Sequence, residues 1–165
     1  MIQLTGATSK QLLAVECGHL VVFQFGLQAG GKEPTLALRV QDDLDTDVAA
    51  VVLFSKGKPP RYLRLQTNPV CVDLGWAAKI QVAIPPEGFT PSVDAPASGS
   101  LLIMGKATCV VCEVPNAPHG LATVYVDVSG RVAQGADPRW GITKWSLGVN
   151  DVSGAFVELY RPPAA

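Results

Sequence analysis

Four cysteines, two histidines and a knot of aspartates are the residues through which this chain could do chemistry. Cys109-Val-Val-Cys112 has the spacing of a zinc or redox pair, and Cys17-Gly-His19 could in principle complete a four-ligand set. The surrounding residues argue against both. Strand alternation sends positions i and i+3 to opposite faces, and Thr108-Cys-Val-Val-Cys-Glu-Val114 contains no turn former to bring the thiols together. Pro115 and Asn116 follow where a thioredoxin-type motif needs a helix, so buried strand thiols are expected. Asp42, Asp43, Asp45 and Asp47 open like a calcium loop. Val48 then replaces its glycine and Phe54 its bidentate glutamate, which leaves an acidic, solvated turn.

Gly26-Leu-Gln-Ala-Gly-Gly31-Lys32 meets the spacing of a phosphate-binding loop behind strand-like Val21–Phe25. Glu33 stands where a hydroxyl should hold magnesium, Pro34 follows, and Thr35–Val40 reads as a strand, so no helix N-terminus faces a phosphate. A Gly-rich hairpin loop is the expectation. No Gly-x-Ser-x-Gly elbow occurs, and His19 and His119 are the histidines available as a general base. No cofactor motif is complete, so no cofactor, no metal and no catalytic residue is assigned.

Two recognition features remain. Pro59-Pro60-Arg61-Tyr62 has the form read by polyproline-binding grooves, but it abuts an alternating strand and reads as a rigid turn. Trp140 and Trp145, beside Arg139 and Lys144, could build a stacking platform for a sugar or a partner chain.

The elements that must position these residues are strands. Valine-rich segments separated by turns punctuate a chain with 16 glycines and 13 prolines. Strands are expected at Leu12–Glu16, His19–Phe25, Thr35–Val40, Val48–Phe54, Arg61–Gln66, Val70–Leu74, Lys79–Ile84, Leu101–Met104, Ala107–Val114, Leu121–Val128, Ile142–Leu147 and Ala155–Tyr160. Lys79–Ile84, Arg61–Gln66 and Thr123–Val128 alternate polar and apolar, as half-buried antiparallel strands do. Val48–Phe54 is apolar on both faces and suits a central or interface strand. Turn signals every 8 to 12 residues or so give the rhythm of an antiparallel β-sandwich, jelly roll or related barrel. The expectation is one all-β domain over residues 1–165.

Residues 83–100 carry Pro85, Pro86, Pro91 and Pro96 and show no convincing strand. A long Pro-rich surface loop, or an arm that docks on a neighbour through Pro85, Phe89 and Pro91, is expected there. The tail Arg161–Ala165 should stop the last strand and fray.

Composition bounds the function. Only 16% of residues are charged, 48% are hydrophobic and mean hydropathy is +0.26, which excludes intrinsic disorder. A formal net charge of −1 gives no electrostatic footprint for nucleic acid or anionic lipid. The start MIQLTGATSKQ lacks a basic and apolar export signal, and no apolar run reaches membrane-spanning length, so a cytoplasmic or virion location is expected. With few charges and several strands apolar on both faces, an isolated monomer would expose apolar surface and open sheet edges. The reading is therefore a non-enzymatic structural protein that forms a homo-oligomer or joins a larger protein assembly, with Pro85, Phe89, Pro91, Trp140 and Trp145 as contact residues. In broad outline it is similar to the small all-β subunits that decorate or cement viral capsids. The alternatives are a carbohydrate- or small-ligand-binding module and, behind it, a small hydrolase or metal-binding protein built on the Cys and His residues.

Overall fold

A computed structural model describes residues 8–24, 34–42, 47–75, 78–82, 89–91, 96–115, 123–133 and 140–163. The Gly26–Lys32 loop, Asp43, Asp45, Pro85 and His119 lie outside the described residues.

Among the described residues, fourteen strands follow in chain order: β1 Thr8–Gln11, β2 Leu20–Gln24, β3 Pro34–Val40, β4 Ala49–Phe54, β5 Arg61–Leu65, β6 Val70–Gly75 and β7 Ala78–Val82, then β8 Phe89–Pro91, β9 Leu101–Met104, β10 Ala107–Glu113, β11 Thr123–Asp127, β12 Trp140–Ile142, β13 Trp145–Asn150 and β14 Phe156–Tyr160. They form a β-sandwich. A six-strand antiparallel run, β1-β6-β2-β3-β4-β5, joins the antiparallel group β11-β10-β9-β12-β8 through one parallel pair, Arg61 with Glu113. β14-β13-β7 form a further antiparallel sheet. Among the described residues no helix is long and apolar enough to cross a membrane.

The main core lies between the layers. Leu20, Leu38, Val40, Ala50, Val52 and Phe54 from the six-strand run meet Leu101, Val110, Cys112, Val126, Ile142, Trp145, Leu147 and Tyr160. The opposite face of the same run carries a second cluster of Val21, Phe23, Ala37, Ala49, Val51, Leu53 and Cys71 beneath Leu12 and Val15. β4 is therefore buried at all six positions, as its two apolar faces require.

Three expected elements differ. Leu12–Glu16 is not a strand: Leu12–Ala14 form a 3-10 turn. That turn is held by Leu12 N–H on Pro69 O (3.0 Å), Leu13 N–H on the Asn68 side chain (2.8 Å) and Arg39 Nε–H on Leu12 O (3.2 Å). The apolar Leu12 thus caps the second cluster, and polar β1 before it supplies the ladder. Ile142–Leu147 is broken at Thr143–Lys144 into β12 and β13, which belong to different sheets. Within residues 83–100 a strand exists after all, β8, paired with β12 of its own chain: Phe89 opposite Ile142 and Pro91 opposite Trp140. Its edge position tolerates the proline, which has no N–H to give a ladder.

The tail also departs from expectation, since Pro162 is buried. Just before it, the Tyr160 hydroxyl donates to Lys58 O (2.8 Å) and its ring stands 5.0 Å from Phe54 and 5.8 Å from Trp145.

The tetrapeptide Asp-Val-Ser-Gly occurs twice, at 127–130 and 151–154, and builds the same turn each time. The aspartate carboxylate accepts the serine N–H (2.7 and 2.8 Å), and its backbone O accepts the glycine N–H (2.8 and 2.9 Å). Both glycines sit at φ near +80°, a region that favours glycine. Gly130 is additionally pressed against the backbone, where an added Cβ would lie 2.3 Å from Gly18 N and 2.4 Å from Arg39 O.

Candidate interaction surface

Among the described residues, most of those that could do chemistry are used up inside the fold. Cys109 and Cys112 point to opposite faces of β10, Cys109 among Leu102, Met104 and Val111, Cys112 in the main core. Burial raises both thiols, Cys109 to about 11 and Cys112 further, and raises Cys71 as well, so these sulfurs stay protonated and poorly nucleophilic near neutral pH. Among the described residues no group of three or more His, Cys, Asp or Glu is placed to hold a metal ion. Asp42 is buried and ion-paired with Arg64, so it serves the fold where a solvated turn was expected. Tyr62 packs its ring against the main core and Pro60 is buried, so Pro59–Tyr62 is turned inward.

His19 is brought into a polar cluster that spacing could not reveal, because the carboxylate that holds it, Asp73, is 54 residues away. Its Nδ1–H donates to Asp73 Oδ1 at 3.0 Å, and its Nε2 faces the Glu16 carboxylate at 3.5 Å. Asp73 also accepts Lys10 Nζ on Oδ2 and Gly75 N–H on Oδ1, each at 2.8 Å. A histidine oriented by an aspartate supplies two of the three members of a catalytic triad, but here the outer nitrogen is turned to a carboxylate rather than to a nucleophile's hydroxyl. Asp73 on β6 thus gathers Lys10 of β1 and His19, the residue before β2, which makes the cluster a lock between β1, β2 and β6.

That lock inverts β6. In Val70-Cys-Val-Asp-Leu74, the hydrophobic pattern would turn the valines inward and Asp73 outward. The structure does the reverse: Asp73 is 3% and Cys71 2% exposed, whereas Val70 is 60% and Val72 42% exposed. A groove of about 500 Å³ lies over the valines, with Ser9, Val22, Pro34 and Pro69 in its walls.

The two tryptophans separate. Trp145 is in the main core, its indole N–H on Gly99 O at 2.7 Å, and so is not presented to a partner. Trp140 is 48% exposed on β12, opposite Pro91 on the edge strand β8. Of the contact residues expected from sequence, Phe89, Pro91 and Trp140 are thus gathered at one sheet edge. Val70, Val72 and Val128 were missed, because periodicity gives a residue's face and not whether anything covers it.

Comparison of the chain with models of protein families, with curated proteins and with solved structures finds no match.

Proposed function

We propose that the protein is a non-enzymatic structural subunit that works by packing against copies of itself or within a larger protein assembly, as the small β subunits that decorate or cement viral capsids do. The inverted strand β6 carries this reading: it turns Val70 and Val72 to solvent while it buries Asp73. Covering both valines would contribute roughly 2 kcal/mol from apolar area alone. Large exposed apolar patches mark contact surfaces in folded proteins. Trp140 and Val128 add a second such place. Trp140 alone also supports the second reading, a carbohydrate- or small-ligand-binding module, although the paired platform is not formed because Trp145 is internal.

Size-exclusion chromatography with light scattering on the purified chain tests the proposal. The expected result is a defined species heavier than the 17.3 kDa chain. A monomer at every concentration refutes self-assembly and moves Trp140 to the head of a ligand search.

A further inference from the structure

The two antiparallel groups of the large sheet are joined at one seam, where Arg61 of β5 stands opposite Glu113 of β10. The ladder there is brief. Glu113 N–H donates to Pro60 O at 2.8 Å, but two residues earlier β10 has another partner: Val111 O accepts Gly99 N–H at 2.8 Å and Val111 N–H donates to Ser100 O at 2.9 Å. Gly99 and Ser100, which lead into β9, thus occupy β10 just before β5 reaches it, and the chain forks. The fork is held firmly. The Gly99 carbonyl accepts the Trp145 indole N–H at 2.7 Å, and a Cβ added at its φ of +92° would lie 3.3 Å from Pro162 and 3.7 Å from Pro60.

A cavity of about 310 Å³ opens in this fork, with Arg61, Ser98, Glu113, Val114 and Pro115 in its walls. Its volume falls within the ~300–1,000 Å³ of small-molecule sites. Opposite charges placed directly across two strands ordinarily attract and pair. Arg61 and Glu113 do not: neither side chain makes a hydrogen bond or an ion pair, and Arg61 Nε is buried without an acceptor. Buried donors are nearly always satisfied in folded proteins, so an acceptor brought from outside makes a bond that the free chain lacks.

We propose that the fork binds an α-amino acid with an apolar side chain, its carboxylate on the Arg61 guanidinium, its ammonium on the Glu113 carboxylate and its side chain against Val114 and Pro115. A carboxylate presents the two coplanar oxygens that a guanidinium matches. A simple anion would satisfy Arg61 and meet like charge at Glu113, and a simple cation would do the reverse. A molecule carrying both charges on neighbouring atoms satisfies the two together. Neither self-assembly nor its absence bears on this site.

Saturation-transfer NMR and calorimetric titration with L-leucine test it, beside L-leucinamide, which lacks the carboxylate, and isocaproate, which lacks the ammonium. Leucine should bind saturably and each analogue about tenfold or more weakly, the worth of one charge-assisted contact. Arg61→Gln should bind leucine no better than leucinamide, and Glu113→Gln no better than isocaproate, with near-ultraviolet circular dichroism confirming that each is folded. Arg61→Lys and Glu113→Asp, which keep the charge and lose the fit, replace either one that is not and should also weaken leucine. No saturable leucine binding into the tens of millimolar, or leucine binding unchanged in the folded variants, overturns the site. Isocaproate binding as tightly as leucine overturns the amino acid as its ligand and leaves an anion site.

Discussion

Replacing Asp73 with alanine removes the acceptor of three donors at once: Lys10 Nζ, His19 Nδ1–H and Gly75 N–H. His19 is 8% exposed, so its donor loses a partner that water replaces poorly. An unsatisfied buried donor costs about 1–3 kcal/mol. Lys10 is partly exposed and regains water, so its share is small. With the Gly75 N–H also losing its acceptor, the sum is about 3 kcal/mol, a large part of the ~5–15 kcal/mol that holds a domain together. Urea unfolding followed by tryptophan fluorescence at pH 7 measures it, and a loss under about 1 kcal/mol refutes the reasoning. Asp73→Asn keeps an acceptor oxygen without the charge and should fall between the two. Burial alone would raise the Asp73 carboxyl, but the hydrogen bonds from Lys10, Gly75 N–H and His19 outweigh it and leave the group below its ordinary value. A carboxyl lowered in the folded state stabilises fully above its unfolded pKa, about 4, and that contribution fades as pH falls through the folded value. The gap between wild type and Asp73→Ala should therefore be widest at neutral pH and narrow in acid.

The two Asp-Val-Ser-Gly turns give an internal control. Gly154→Ala meets open space and should cost about 1 kcal/mol for its left-handed backbone, whereas Gly130→Ala drives a methyl into Gly18 and Arg39 and should cost about 3 kcal/mol or more. Equal thermal or urea midpoints for the two variants would sink the close-approach argument. A disulfide reagent at pH 8 should label partly exposed Cys17 quickly and leave Cys71, Cys109 and Cys112 until the chain unfolds; two or more fast thiols per chain would contradict their burial.

The all-β fold was legible because period and turn chemistry are local properties. Val48–Phe54 announced a strand with two apolar faces, and the opposed thiols of β10 followed from counting by two. Local pattern failed where tertiary contacts chose the outcome. Leu12–Ala14 has the apolarity of a strand, yet Asn68, Pro69 and Arg39 fold it into a cap. Phe89–Pro91 is too short and too proline-bound to register as a strand until β12 pairs with it. Asp73 reads as the polar face of β6, and only His19 and Lys10, distant in sequence, show why that face is inside. Trp140 and Trp145 look alike in the chain, but the break at Thr143–Lys144 sends them to different layers.

The second Asp-Val-Ser-Gly turn opens a practical route. Its valine, Val152, is 77% exposed, its glycine has open space around it, and its hydrogen bonds close within residues 151–155. Loop tips of this kind accept inserted sequence with little effect on the core. A peptide epitope or a fluorophore-binding tag placed between Val152 and Ser153 would project from the β13–β14 hairpin. In a repeating assembly, every copy would then carry one such tag at a fixed spacing.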